Sequence, residues 1–377
     1  MLRLYGLILL VHAYVGWRLL PELPNVTWVA ALALVLAVMA GAMTLAVFMR
    51  RAERSQLPDA VAWAAFLAMG ALSSLFILAL TRDAGLLALS AVDLFLPLGA
   101  TLHQVRLWSA AAVPVIAGVL SVVGFINARR RAGIRSVDIP IAGLPAGLHG
   151  FSIAQISDIH VGPTIKRGYV DAIVDAVNKL EADMIAVTGD LVDGSVKHLS
   201  LHTQPLSRLL SRHGTFFVTG NHEYYSGADA WVAEMRRIGL RVLMNEHDVL
   251  QHEGEAVVVA GVTDYGAHHF DLAQKSDPAA AMAGAPVGAG VRLLLAHQPR
   301  SAFAAAPAGF DLQLSGHTHG GQFLPWIFLV RLQQPFTAGL HRLKDLWVYT
   351  SRGTGYWGPP MRLGAPSEIT HLRLVPA

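Results

Sequence analysis

Two regimes of hydrophobic patterning divide the chain. Up to residue 131, apolar residues run on without a short period. Residues 28–49, 60–80 and 108–128 carry no charged side chain. Each run is long enough to cross a hydrocarbon core of about 30 Å as a helix. Residues 4–20 form a weaker first span that contains His12 and Arg18. Further spans follow it and no small-residue cleavage site stands out, so it reads as a span rather than a cleaved leader. Pro114 in the last run is tolerable where neighbouring helices satisfy the freed carbonyl. Residues 84–102 are also apolar but hold Asp93 and Pro97, and only Thr81-Arg82-Asp83 separates them from the preceding run. They read as an interfacial or re-entrant helix rather than a fifth span.

Beyond residue 131 the pattern shortens. Residues 132–150, rich in Gly and Pro, read as a linker, and 151–377 as a second domain. Apolar runs at 151–156, 184–187, 216–218, 291–296 and 310–314 have the length and composition of buried strands. Further strands are expected at 257–261, 347–350 and 369–374. Val170, Ile173, Val174 and Val177 recur at helical spacing and predict a helix over 166–180, and 200–212 and 228–238 are further helix candidates. Residues 276–290, mostly Ala, Gly and Pro, read as a flexible loop. Strand–helix alternation followed by a strand-rich half predicts an α/β (α+β) domain of stacked sheets covered by helices.

Charge refines this division. Residues 1–131 hold ten arginines and five acids, a balance of +5, and the remainder carries −2. The basic excess therefore belongs to the apolar region and gives no reason to expect nucleic-acid binding. With four spans, Arg3, Arg50, Arg51, Arg54 and Arg129–Arg131 fall on one side. The positive-inside rule makes that side the cytoplasm, and the second domain with it. The chain has no cysteine, so neither a disulfide framework nor a thiolate metal site exists.

The candidate chemistry lies at the ends of the expected strands. In order the motifs are Asp158-Ile-His160, Gly189-Asp190-Leu-Val-Asp193, Gly220-Asn221-His222-Glu223, a lone His297 and Gly316-His317-Thr318-His319-Gly320. Ligands at the carboxyl ends of successive strands converge in open α/β sheets. Aspartate and imidazole without thiolate suit Mn²⁺, Fe²⁺ or Zn²⁺. Two Asp, one Asn and four His, besides His222, are too many for one tetrahedral ion and about right for two. A carboxylate such as Asp190 can bridge two ions where an imidazole cannot.

This motif series resembles the calcineurin-like metallophosphoesterases over roughly residues 151–375. The resemblance implies a four-layer αββα sandwich behind an N-terminal helical transmembrane region. It implies two divalent ions, with Mn favoured over Fe or Zn. Asp158, His160 and His319 would hold the first, Asn221, His297 and His317 the second, with Asp190 bridging. His222 resembles the family's acid at the leaving oxygen, and Asp193 would orient it. Glu223, standing where many members have Asp, would act only behind the ligands. The tail from Ser351 to Arg362 resembles a membrane-attached bacterial subgroup, and Arg352 and Arg362 could form an anion-binding wall.

The implied activity is hydrolysis of a phosphodiester or pyrophosphate by a metal-activated hydroxide, without a covalent enzyme intermediate. A multi-pass protein of the bacterial inner membrane with an apolar rim favours a membrane lipid or lipid-linked substrate. UDP-2,3-diacylglucosamine, cleaved in lipid A synthesis, is the concrete candidate. A broad-specificity phosphodiesterase acting on soluble nucleotides or headgroups is the alternative within the chemistry. A non-catalytic metal-binding sensor or scaffold, and a transporter, are alternatives of other classes. The complete ligand set with Asp193 and His222 argues against the first, and the scarcity of polar groups in the spans against the second. Oligomeric state is not legible.

Overall fold

The computed structural model describes residues 2–52 and 58–377. The chain forms two compact units: Met1–Arg129 with Gly358–Leu363, and Arg130–Trp357 with Gly364–Ala377.

The first unit is helical: α1 Leu2–Leu19, α2 Val26–Ala52, α3 Asp59–Asp93 and α4 Ala100–Arg129. Val26–Met49, Asp59–Asp93 and Ala100–Arg129 are each long and apolar enough to cross a membrane. Val15 and Leu19 of α1, Leu32, Leu36 and Met39 of α2, Leu72 and Leu75 of α3, and Ala110 and Val113 of α4 share one core. The expectation of a separate helix over 84–102 is corrected. Helix α3 passes through Thr81-Arg82-Asp83 without a break and runs for 35 residues, about 52 Å at 1.5 Å per residue. No glycine or proline stands at 81–83 to stop it, and the charges find partners. Arg82 is buried and pairs with Glu22, its Nε donates to Ser109 Oγ at 2.9 Å, and Arg18 Nε donates to Asp83 at 2.7 Å. The turn comes only at 94–99, where Asp93 accepts the Leu98 N–H.

The excursion Gly358–Leu363 belongs to this helical unit. A Cβ on Gly124 would stand 2.5 Å from Met361 Cγ, and one on Gly70 would stand 3.0 Å from Met361 Cε. These two glycines thus leave the notch that Met361 fills. The Arg362 N–H donates to the Gly124 carbonyl at 2.9 Å, and Asn127 donates to the Arg362 carbonyl.

The second unit is a sandwich. In chain order its strands and main helices are β1 Gly133–Ile141, β2 Ser152–Ile156, α5 Arg167–Asn178, β3 Met184–Val187, α6 Val196–Thr203, β4 Thr215–Phe217, α7 Asn221–Ser226, α8 Ala228–Arg237, β5 Arg241–Val242, β6 Glu246–His252, β7 Glu255–Gly261, β8 Val291–Leu295, β9 Leu312–Ser315, β10 Gly339–Leu343, β11 Leu346–Thr350 and β12 Glu368–Pro376. They form two six-stranded mixed sheets, ordered β1-β12-β2-β3-β4-β5 and β10-β11-β9-β8-β7-β6. Inward side chains interleave into one core: Ile153, Met184 and Phe216 from one sheet, Val257, Leu293 and Leu314 from the other. Helices cover the outer faces. Helix α5 buries Val170, Ile173, Val174 and Val177, α8 buries Trp231 and Met235, and Ala302 and Ala305 of a short helix pack on Leu294 and Val348. The expected four-layer αββα architecture is what the chain adopts.

Two expected loops are structured. Residues 133–141, expected as linker, are strand β1, paired in parallel with β12. The Gly-Pro content masked a period-two pattern in which Val137, Ile139 and Ile141 face the core. Within 276–290, Pro278–Met282 is a short helix capped by Asp277, with Ala281 fully buried.

Gly124→Val is expected to lower the thermal midpoint of the detergent-solubilised protein, because overpacking costs about 1–3 kcal/mol. Gly118→Val, on the same helix with nothing within 4 Å of its Cβ, is the control and should leave the midpoint unchanged or raise it. Equal midpoints would contradict the notch.

Candidate metal centre

Every expected ligand lies just past a strand. Asp158 and His160 follow β2, Asp190 follows β3, Asn221 opens α7 after β4, His297 follows β8, and His317 and His319 follow β9. Backbone hydrogen bonds lock these loops together. Asp158 N–H donates to the Gly189 carbonyl, His160 N–H to Asp190, and Gly316 N–H to His297. Gln155 ties the sheets below, donating to Thr188 Oγ1 and the Ser315 carbonyl, both at 2.9 Å. Gly316 and Gly220 are required by close approach: a Cβ on the first would overlap Asp158 and Ser157, and one on the second Asp190.

The backbone is unusual where the ligands are. Asp158, His160, Asp190, His317 and His319 all have φ between 51° and 71°. This left-handed region costs a non-glycine residue about 1–3 kcal/mol and persists only where its surroundings fix it.

Asp158, His160 and His319 form one group of closely spaced ligand atoms, and Asp190, His297 and His317 another. His160 Nε2 lies 3.0 Å from His319 Nε2, and His297 Nε2 lies 3.2 Å from His317 Nδ1. The other nitrogen of His160 and of His297 is already engaged, with Asp193 at 3.0 Å and with the Thr188 carbonyl at 2.7 Å. Their Nε2 lone pairs therefore point into the site. Asp190 Oδ2 lies 3.1 Å from His297 Nε2 and 3.9 Å from His160 Nε2, so one oxygen borders both groups. The buried Asn221 Oδ1 has no hydrogen-bond partner, as befits an atom whose partner is a cation. The donor set fits two oxygen- and nitrogen-preferring divalent ions.

Electrostatics point the same way. Burial would push Asp190 up, but His297 and His222 hold it well below the usual carboxylate range. Burial would push His297 down, but Asp190 and Asp158 raise it well above an ordinary histidine. Burial, then His297, lowers His317 to about 3. In His222, burial is outweighed by Asp190 and by the Asp193 hydrogen bond, which raise it to about 9.

Asp193 does more than expected. Its Oδ1 takes His222 Nδ1 at 2.6 Å and His160 Nδ1 at 3.0 Å, orienting an expected ligand as well as the expected acid. Glu223, buried, accepts the N–H groups of Gly220, Asp190 and Leu191 at 2.7, 2.9 and 2.7 Å. It staples two ligand loops together. Burial and Asp190 push its carboxyl up to about 8, against the backbone donors that favour the anion. The sequence alone offered only the proximity of Glu223 to Asn221. Tyr225 was missed as a neighbour of His222: its ring centroid lies 5.3 Å away, and that of Trp357 5.8 Å. The one hint was an aromatic pair directly after a ligand motif.

The two arginines of the expected anion wall stand in different surroundings. Arg362 is 1% exposed and belongs to the helical unit. Arg352 stands beside Gly320 and ion-pairs with Glu368 at 3.0 Å.

Two facing mixed sheets thus carry a paired Asp/His/Asn ligand centre at their strand ends. The calcineurin-like phosphoesterase family model matches residues 151–321. A "transmembrane protein with metallophosphoesterase domain" of Bos taurus is 39% identical, over 70% of this chain and 62% of its own. An uncharacterized metallophosphoesterase of Helicobacter pylori is 38% identical, over 67% and 66%. Another, of Aquifex aeolicus, is 33% identical, over 60% and 85%. The chain spans about three fifths of the length of the transmembrane relatives it matches. It belongs to the calcineurin-like metallophosphoesterases, metal-dependent hydrolases of phosphoesters.

Asp190→Asn is expected to reduce metal content below two ions per chain by elemental analysis, and two retained ions would contradict a shared carboxylate. Asp190 and Asp158 raise His297, so metal uptake beside it is expected to release protons. Calorimetry in buffers of different ionisation enthalpy should read at least about one proton per chain at pH 7, and none would contradict the electrostatic account.

Proposed function

We propose that this chain is a membrane-anchored phosphohydrolase acting on a lipid-linked phosphodiester or pyrophosphate. The observation that carries this reading is an apolar lip directly after the His317–His319 motif. Leu324, Trp326, Phe328, Leu329 and Leu332 are exposed there, Leu332 by 83%. The Cβ position of Gly321 lies against Trp326 and Ile327, which ties the lip to the ligand loop. A soluble substrate gives no reason to keep such a patch uncovered. UDP-2,3-diacylglucosamine has the right chemistry, an anhydride beside two acyl chains, and its use would place the protein in lipid A synthesis. The reading includes a bacterial inner membrane with the catalytic unit cytoplasmic, from the arginine bias, and Mn²⁺ as favoured ion, from the oxygen and nitrogen ligands. It includes no nucleic-acid partner.

Asp158, His160 and His319 would hold one ion, and Asn221, His297 and His317 the other, with Asp190 shared. When bound, two divalent ions supply Lewis-acid charge to the phosphoryl oxygens and lower the pKa of water. The chain's own residues do the rest. Asp193 takes His222 Nδ1–H, so Nε2 is the edge that gives a proton to the leaving oxygen. Arg352, beside Gly320, is the nearby cation for a phosphoryl oxygen. Asp193 holds the imidazole in the orientation from which Nε2 gives that proton.

His222→Ala is expected to lower kcat by about 100-fold or more while metal content stays at two ions; unchanged turnover would remove His222 from the mechanism. Product analysis by phosphorus NMR tests the substrate class. The lipid nucleotide should release UMP far faster than simple diesters turn over, with Asp190→Asn as the blank. Turnover of simple diesters alone would leave a broad phosphodiesterase and discard the lipid assignment.

A further inference from the structure

We propose that Tyr225 and Trp357 form an aromatic subsite for the group that leaves phosphorus, selecting a flat aromatic ring over a saturated one of the same size. This rests on the phosphohydrolase reading above and names the leaving-group class for that site.

His222 is flanked by two rings set nearly edge-on to it. Tyr225 stands at 5.3 Å and 72°, and Trp357 at 5.8 Å and 74°. Neither ring is used up by the fold: Tyr225 is 65% exposed and Trp357 53%. Phe270, 55% exposed, extends the surface at 5.7 Å from Tyr225. Leaving these rings in water forfeits burial that a folded core normally takes.

Their placement is fixed. Gln322, itself buried, clamps the Trp357 backbone from both sides: its Nε2 donates to the Trp357 carbonyl at 2.9 Å, and its Oε1 accepts the Trp357 N–H at 2.9 Å. Gln322 is held at φ 54°, a conformation that its side chain does not favour. Tyr225 sits on α7, whose first turn carries Asn221 and His222. Both rings are therefore positioned by the loops that position the ligands.

The chemistry follows from which edge of His222 is free. Asp193 occupies Nδ1, so the proton goes from Nε2 to the leaving oxygen, and the substituent on that oxygen must lie beside the same imidazole. Aromatic rings attract another aromatic ring through their quadrupoles beyond what its area alone gives. A nucleoside base or an aryl group fits, and a cyclohexyl group gains only burial.

The test uses the full chain in detergent with dibenzyl phosphate and bis(cyclohexylmethyl) phosphate. Both esters are symmetric, so either bond gives the same products. Wild-type kcat/KM is expected to favour the benzyl ester about three- to tenfold, mainly through KM. Tyr225→Ala and Trp357→Ala should bring that ratio towards one, and Trp357→Phe should keep most of it. A wild-type ratio near one, or a ratio that survives both alanine variants, would overturn the subsite while leaving the hydrolase reading intact. No turnover of either ester by protein carrying two ions would instead sink the hydrolase reading. Equilibrium binding of benzylphosphonate against cyclohexylmethylphosphonate then reads the subsite alone, and equal Kd values overturn it.

Discussion

The structure depends on gathering carboxylates and imidazoles out of water in one place. Asp158, Asp190, His160, His297 and His319 are all nearly inaccessible to solvent. Burying like and unlike charges together is costly unless each is paired and hydrogen-bonded. The chain meets this constraint twice over. Side chains pair across loops, as Asp190 does with His297, and the backbone that carries them is stapled by Glu223 and by loop-to-loop N–H donors. The left-handed ligand residues are the strain that this arrangement holds. The Asn221 oxygen, which has no hydrogen-bond partner, and the inward imidazole nitrogens are the donors that divalent ions would engage.

The helical unit meets the opposite constraint. Its surface is apolar, so its few charges must find one another. Arg18, Glu22, Arg82, Asp83 and Arg106 do so across α1, the turn Leu20–Glu22 that follows it, α3 and α4. Because they are satisfied, Arg82 and Asp83 do not end the helix that contains them. The same unit takes in six residues from late in the chain and seats Met361 against two glycines. Close approach at the two glycines and the hydrogen bonds of Arg362 with Gly124 and Asn127 hold that excursion.

Much of this was legible in the sequence, for identifiable reasons. Buried strands announce themselves as short apolar runs, and ligand motifs at their ends converge because parallel strands present one set of ends. The convergence of the ligand motifs could therefore be expected from order, while their division into two groups and the Asp193–His222 pair came from the family resemblance. Charge patterning is less legible. Thr81-Arg82-Asp83 looked like a break because partners on other helices are invisible to a local reading. Strand β1 hid behind glycine and proline, since its pairing with β12 joins residues far apart in sequence. Arg362 looked available because arginine is usually exposed, and only packing shows it enclosed. Glu223 looked secondary, although it is the carboxylate that binds two loops into one frame.

The central claim is that two ions share Asp190. Anomalous diffraction from crystals of the Mn²⁺-loaded protein tests it most directly. The account requires two peaks against the Asp190 carboxylate, one bounded by Asp158, His160 and His319 and the other by Asn221, His297 and His317. A third group of titratable side chains, His160, Asp193 and His222, also stands close enough to hold an ion. A single peak would contradict the shared carboxylate, and a peak between Asp193 and His222 would contradict the role of His222 as a proton donor.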